Sequence, residues 1–334
     1  MSDWQSTSDW QIFRGDGSQH DGLKRLPSPP PWRFSRPTKE MVIPKDDLSE
    51  QERSRATPYL PSDPMRLAVN AALYLRRPLL LTGRPGTGKS TLISKVAYEL
   101  KLGGVLRWPI NSRSTVRAGV YEYDAIGRLQ AGKDVEPPVE QYLALGPLGT
   151  ALLAQTWPRA LLIDEIDKSD LDFANDLLNV IEEGEYEIPE LRRLGREETI
   201  VRDYFGREVA IRKGRIVCDQ FPFVVMTSNA EREFPAPFLR RCVRLTIEPP
   251  NVDELTKIVS SHLRHYEMDM ASVDVLIKEF DDSRKENKDV STDQLLNAIF
   301  LTIATRDNDK RTFSGTELSD LRANLMRPLS GTAG

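Results

Sequence analysis

Through the first 250 positions apolar residues gather in short runs, Leu79 to Leu81, Val105 to Ile110, Ala160 to Ile163 and Phe223 to Met226, and each run reads as a strand. Val243, Leu245 and Ile247 alternate with polar neighbours and predict a fifth strand, just after a short helix end at Phe238. Between the runs the spacing turns helical. Met65, Leu67, Ala68, Ala71, Ala72 and Leu75 form one helical pattern, with Ser62-Asp63 ahead as a cap and Pro64 in the first turn, and Leu92 to Leu100 form another. Strands separated by helices predict an α/β fold, a parallel sheet in a three-layer core with its ligand at the carboxyl ends of the strands.

Two stretches interrupt that alternation. Ser112 to Leu145 carries Gly119, Gly127, Gly132 and the polar tract Gln130 to Pro138, and reads as an insert after the second strand, at about 112–145. At about 185–217, two alternating runs around Thr199 to Val201 and Val209 to Ile211 flank Asp203-Tyr204-Phe205-Gly206, which predicts a β-hairpin with an aromatic tip. After Pro249-Pro250 the pattern becomes amphipathic helix over Val252 to Tyr266, Ala271 to Phe280 and, behind a cap at Ser291, Thr292 to Thr305. Met268 and Met270 read as packing within it. The expected plan is an arm at 1–57, an α/β domain at 58–249, a small helical domain at 250–310 and a polar tail at 311–334 with one more helix near Thr316 to Met326. The arm holds Pro27-Ser28-Pro29-Pro30-Pro31 and the aromatics Trp4, Trp10, Phe13, Trp32 and Phe34, enough to expect that it straps onto the core or onto a neighbouring subunit.

Charge narrows the partners. A net charge of -4 over 334 residues gives no global reason to bind nucleic acid, so such binding needs a local basic surface. Cys218 and Cys242 fit neither a metal spacing nor a disulfide framework, and His20, His262 and His265 are too scattered for a metal site. No apolar run approaches the roughly 20 residues that span a bilayer, and Met-Ser-Asp-Trp-Gln does not open a signal peptide, so a soluble cytoplasmic protein without a membrane partner is expected.

The chemistry concentrates at Gly83-Arg84-Pro85-Gly86-Thr87-Gly88-Lys89-Ser90-Thr91, a phosphate-binding loop between a strand and a helix. Its glycines let successive N–H groups turn inward, Lys89 reaches the β- and γ-phosphates, and the Ser90 hydroxyl ligates the magnesium ion between them. Leu161-Leu162-Ile163-Asp164-Glu165 delivers two acids to a strand end: Asp164 to hold Mg2+ with Ser90, and Glu165 to polarise the attacking water. Asn229 follows the fourth run where its amide can meet the γ-phosphate and the water, and the adjacent Arg240 and Arg241 suit charge stabilisation across a subunit boundary.

These motifs, in this order and followed by a helical lid, resemble AAA+ ATPases over about residues 58–305. Gly146-Pro147-Leu148, the insert before the acid-bearing strand and the stretch Val180 to Ile188 resemble the MoxR branch, which carries an insert in helix two. Phe13-Arg14-Gly15, Trp32-Arg33, Ser112-Arg113-Ser114-Thr115 and Tyr121 to Arg128 resemble a bacterial subgroup linked to conflict or defence loci. The resemblance implies ATP and Mg2+ as ligands, a homo-oligomer in a hexameric ring with ATP between subunits, and Arg241 as the trans finger ahead of Arg240. It also implies remodelling of a protein client, one bearing a von Willebrand factor A domain in many relatives. Asp293 stands where the lid of many relatives places an arginine. Two other functions stay open: a nucleic-acid-stimulated motor, for which Arg192, Arg193, Arg196, Arg202, Arg207, Arg212, Lys213 and Arg215 around the Tyr204-Phe205-Gly206 tip supply charge, and a nucleotide-gated assembly switch. The loop contacts phosphates and leaves ATP against GTP open.

Overall fold

The computed structural model describes residues 10–31, 33, 40–44, 47–131, 137–154, 156–264, 266, 270–286, 290–304 and 315–325. In chain order its elements are α1 (Glu50–Ala56), α2 (Asp63–Leu75), β1 (Leu79–Thr82), α3 (Lys89–Glu99), β2 (Leu106–Pro109), α4 (Val116–Val120), β3 (Tyr121–Tyr123), α5 (Ala125–Ala131), β4 (Leu143–Leu145) and α6 (Pro147–Leu152). There follow β5 (Ala160–Asp164), α7 (Leu171–Glu183), β6 (Glu185–Glu187), α8 (Pro189–Arg193), β7 (Glu198–Arg202), β8 (Glu208–Arg212), β9 (Arg215–Val217), β10 (Phe223–Ser228), α9 (Ala236–Leu239) and β11 (Val243–Thr246). The chain then runs through α10 (Val252–His262), α11 (Met270–Lys285), α12 (Thr292–Ala304) and α13 (Gly315–Leu325). It divides into one unit of Met1–Thr57, Pro61–Thr82 and Ser90–Thr246, and a second of Pro58–Leu60, Gly83–Lys89 and Ile247–Gly334.

The first unit is built on a five-stranded parallel sheet in the order β11-β1-β10-β5-β2. Helical crossovers cover both faces of such a sheet, so its strands read as continuous apolar runs, and all six residues of β10 are buried. The fold is an α/β three-layer core around this parallel sheet. Because every strand points the same way, β5 and β10 deliver their last residues, Asp164 and Ser228, to one edge of the sheet.

A second sheet, β3-β4-β7-β8-β9-β6, joins the 112–145 stretch to the 185–217 stretch. β7 and β8 form an antiparallel hairpin, β9 pairs with β8, and β6 pairs with β9 at the edge. Ala144 of β4 pairs with Arg202 of β7, so two segments far apart in sequence share one ladder.

The arm packs on this unit along its described residues. Ile12 and Phe13 are buried, and their N–H groups donate to Asn70 Oδ1 at 2.7 and 3.0 Å. The N–H groups of Arg14, Gly15 and Gly17 donate to the buried Glu99 carboxylate. That packing shifts the face α2 buries: Ala68 and Ala72 of the apolar pattern are buried together with Val69, Asn70 and Leu73, whereas Leu67 and Leu75 are exposed. Ser62 precedes α2 without a side-chain capping bond. Trp4, Trp32 and Phe34 lie outside the described residues.

In the second unit α10, α11 and α12 pack around Leu255, Val259, Ile277, Phe280, Leu295 and Ile299. Asn251 and Glu254 make a capping box on α10, which ends at His262, short of the expected Tyr266. Met270 is 41% exposed, against the expectation of lid packing, and Met268 lies outside the described residues. Among the described residues no helix is long and apolar enough to cross a membrane.

Candidate nucleotide site

The phosphate loop belongs to the second unit. Gly86 and Gly88 have φ of 74° and 82°, a region that side-chain-bearing residues rarely adopt. Space adds a second reason for glycine there. A Cβ on Gly86 would run into the Ser291 side chain, and one on Gly88 would lie 2.9 Å from the Tyr59 ring. Lys89 is buried, and its Nζ donates to the carbonyls of Gly83 and Arg84 at 2.7 and 2.9 Å. The lysine is folded back onto its own loop, where a phosphate oxygen would replace those carbonyls. Pro85 lies between the two turns, and the Thr87 hydroxyl donates to Arg84 O. Burial pushes the Tyr59 hydroxyl well above its usual range, so that ring stays neutral over the loop.

The acids belong to the first unit. Ser90, the residue after Lys89, donates its hydroxyl to Asp164 Oδ1 at 2.8 Å, and the Thr227 hydroxyl donates to the same oxygen at 2.5 Å. The Thr227 hydroxyl in turn accepts the Glu165 N–H at 2.9 Å. A carboxylate flanked by two hydroxyls is a hard oxygen set of the kind magnesium takes, so Ser90 and Asp164 fit the ion. Glu165 sits at φ 59°, ψ 48°, left-handed for a residue that carries a Cβ. That turn sets its carboxylate 3.5 Å from Asn229 Nδ2 and 2.6 Å from Lys168 Nζ. The charge and hydrogen bond of Glu165 hold the Lys168 ammonium above its usual range. Asp167 is 4% exposed, its Oδ2 accepts the N–H groups of Asn229 and Glu231 at 3.0 and 3.2 Å, and its Oδ1 is buried without a hydrogen-bond partner.

Asp164, Glu165, Ser90 and Asn229 therefore come together as the sequence predicts, while Thr227, Asp167 and Lys168 are additions. The Thr227-Ser228-Asn229 strand end and the two-residue step from Glu165 to Asp167 were visible signals. Neither alone distinguishes a site residue from a turn residue.

The two arginines differ. Arg241 is engaged within its own chain, with Nε 3.3 Å from Glu182 Oε2 and Nη1 donating to Asn179 Oδ1 at 3.1 Å. Arg240 is exposed, its carbonyl accepts from Arg77 Nη1 at 2.9 Å, and among the described residues no carboxylate meets its guanidinium. Asp293 accepts from Asn297 Nδ2, and the residue that packs on the loop is Ser291, whose N–H donates to Gln294 Oε1. Thr91 continues α3 behind Ser90.

The aromatic tip is anchored on its own unit, although Tyr204 and Phe205 both stay 41% exposed. Tyr204 Oη donates to Arg107 O, its N–H donates to Thr150 Oγ1, and Phe205 lies under the guanidinium groups of Arg159 and Arg207 at 5.3 and 4.8 Å. The basic cluster is mostly paired: Arg192 with Glu187, Arg196 with Glu140, Arg207 with Asp203 and Asp47, Arg212 with Glu198, Lys213 with Glu197 and Arg215 with Glu185. Salt-bridged cations are poorly placed to displace counterions from a nucleic-acid backbone.

Residues 78–242 match the family described as AAA domain (dynein-related subfamily), just under half of the chain, and that segment is an AAA+ domain. A solved structure titled "Closed State CryoEM Reconstruction of Hsp104:ATPyS and FITC casein" aligns over 67% of this chain with 19% identity and a TM-score of 0.36. This chain spans 41% of that one. No curated protein matches the sequence.

Proposed function

We propose that the chain is an ATP-hydrolysing motor of the MoxR type, which assembles into a ring of identical copies and uses turnover to remodel a protein client. The observation that carries the hydrolysis reading is the Asp164 carboxylate shared by Ser90 and Thr227, with Glu165 and Asn229 set beside it. Loop N–H groups and Lys89 bind the triphosphate, Lys89 leaving the Gly83 and Arg84 carbonyls as it does so. Ser90 and Asp164 hold magnesium, which supplies positive charge to the phosphate oxygens when bound. Glu165 takes a proton from the attacking water at a carboxylate oxygen once Lys168 has released it, and the Asn229 amide orients that water.

Hydrolysis then requires charge stabilisation by a second copy. Arg240 is the guanidinium free to cross to a neighbour, and Arg241 anchors the turn that presents it. The Gly146-Pro147-Leu148 turn and the preceding insert support the MoxR reading, and a client with a von Willebrand factor A domain follows from it. The arm residues that resemble conflict-associated members point to a defence pathway as the first place to seek that client. The paired basic cluster weighs against stimulation by nucleic acid.

The test is steady-state ATP hydrolysis by the purified chain across a protein concentration series, with and without single-stranded DNA. The rate per subunit is expected to rise with concentration and to ignore DNA. Lys89→Ala should lose nucleotide binding, Glu165→Gln should retain ATP without turnover, and Arg240→Ala should bind normally and fail to hydrolyse. A Lys89→Ala protein that hydrolysed at the parent rate would sink the reading.

A further inference from the structure

We infer that the N-terminal arm is part of the support for the arginine turn: Arg33, acting through Glu182, is a positioning residue for Arg240 and Arg241. This rests on the hydrolysis reading above, in which Arg240 acts on a neighbouring copy and Arg241 anchors the turn that presents it.

Arg33 is an arm residue whose side chain is almost fully enclosed, 6% exposed. A buried guanidinium needs an anion. Its Nη1 donates to Glu182 Oε1 at 2.8 Å, and Glu182 is the one carboxylate that meets it among the described residues. The other oxygen of the same carboxylate lies 3.3 Å from Arg241 Nε. Glu182 is therefore shared, the arm on one side and the arginine turn on the other. Asn179, one turn earlier on α7, takes Arg241 Nη1, and Arg77 takes the Arg240 carbonyl.

The neighbouring thiol reports the same crowding. Burial pushes Cys242 up to about 12, with the charges of Arg77, Glu182, Arg244 and Arg33 acting on it as well.

Two cations on one carboxylate hold it from both sides. Removing Arg33 leaves Glu182 with a single partner and several accessible rotamers, so Arg241 and the turn before it gain freedom. A group acting on a transition state tolerates little of that, since displacement by ~1 Å costs on the order of a hundredfold in rate. The arm would then tune turnover without touching nucleotide, which explains why a segment outside the α/β core carries a buried arginine.

The experiment compares the full-length parent chain with Arg33→Ala, Arg33→Lys and Glu182→Gln. Three quantities are read: ATP turnover per subunit at saturating protein, affinity for a fluorescent ATP analogue, and amide hydrogen exchange over residues 238–242. Arg33→Ala and Glu182→Gln should lose about ten- to a hundredfold in turnover, keep nucleotide affinity within about threefold, and exchange faster over 238–242. Arg33→Lys should recover most of both. Unchanged turnover and exchange in Arg33→Ala overturns the inference, and so does a loss that comes with lowered nucleotide affinity and faster exchange throughout the sheet, which marks a general fold element. If the parent chain itself hydrolyses no ATP, the hydrolysis reading fails; the exchange data still decide whether Arg33 braces the turn.

Discussion

Replacing Asp167 with alanine isolates how the acid turn and the amide loop are held in register. Asp167 Oδ2 accepts two backbone N–H groups, from Asn229 at 3.0 Å and Glu231 at 3.2 Å. Hydrogen bonds to a charged acceptor contribute about 1.5–3 kcal/mol each, so the pair sets an upper bound of about 3–6 kcal/mol. Two effects reduce it. The loop is only part-buried, so water replaces some of what is lost, and the buried Oδ1 has no donor to lose. We expect a net loss of about 2–4 kcal/mol, visible as a fall of about 5–10 °C in Tm. The larger effect falls on chemistry, because Asn229 Nδ2 stands 3.5 Å from Glu165 and its backbone is what Asp167 holds. A coupled ATPase assay should show kcat down by about ten- to a hundredfold, with KM changed by less than about threefold. Asp167→Asn keeps one carbonyl oxygen for the two N–H groups and should be milder in both readouts. If Asp167→Ala lowered Tm as expected but left kcat at the parent value, the link from this carboxylate to Asn229 would be wrong.

Other perturbations follow from the same contacts. Lys168→Ala removes the exposed i,i+3 partner of Glu165 and should raise basal ATP turnover by up to about fivefold, while a fall would mean that Lys168 assists catalysis. Asn70→Ala deletes the Oδ1 that takes the Ile12 and Phe13 N–H groups, and should cost about 2–4 kcal/mol in urea unfolding, with faster tryptic cleavage after Arg14. Burial alone would raise the Asp47 carboxyl, but the Arg159 charge, the Gly104 N–H and Arg207 outweigh it, so its pKa is lowered. The stability this provides is full above the unfolded value near 3.8 and is lost as pH falls through the lower folded value. The urea-midpoint gap between the parent and Asp47→Asn should therefore hold from pH 8 to 5 and close below 3.8; a gap that widened in acid would reverse the sign.

The phosphate loop and the acid-bearing strand were legible because their chemistry is local: nine consecutive residues, and a run that ends in two carboxylates. Parallel strands were legible for a related reason, since burial on both faces leaves unbroken apolar runs such as Leu79 to Leu81. What the sequence hid was partnership across long separations. Arg241 is expected as the trans finger, yet Glu182 and Asn179 engage it from α7 of its own chain. The basic hairpin reads as a positive surface, yet Glu140 meets Arg196 from 56 residues away and Asp47 meets Arg207 from 160. Leu67 and Leu75 read as the inner face of α2, but that side of the helix is not the one turned to the core, and Asn70 is buried because the arm's main chain needs its amide.

The arm's attachment also has a bearing on how the chain is born. Arg14 docks on Glu99, a carboxylate 85 residues further along. At the ribosome's pace of roughly 5–20 residues per second, the arm waits about 4–17 s before its anchor has been synthesised. Ile12 and Phe13 wait for Asn70, 58 and 57 residues on, about 3–12 s at the same pace. A segment made early settles late, and the nascent chain carries an adhesive stretch that a chaperone, or a neighbouring nascent copy, can reach before α3 does.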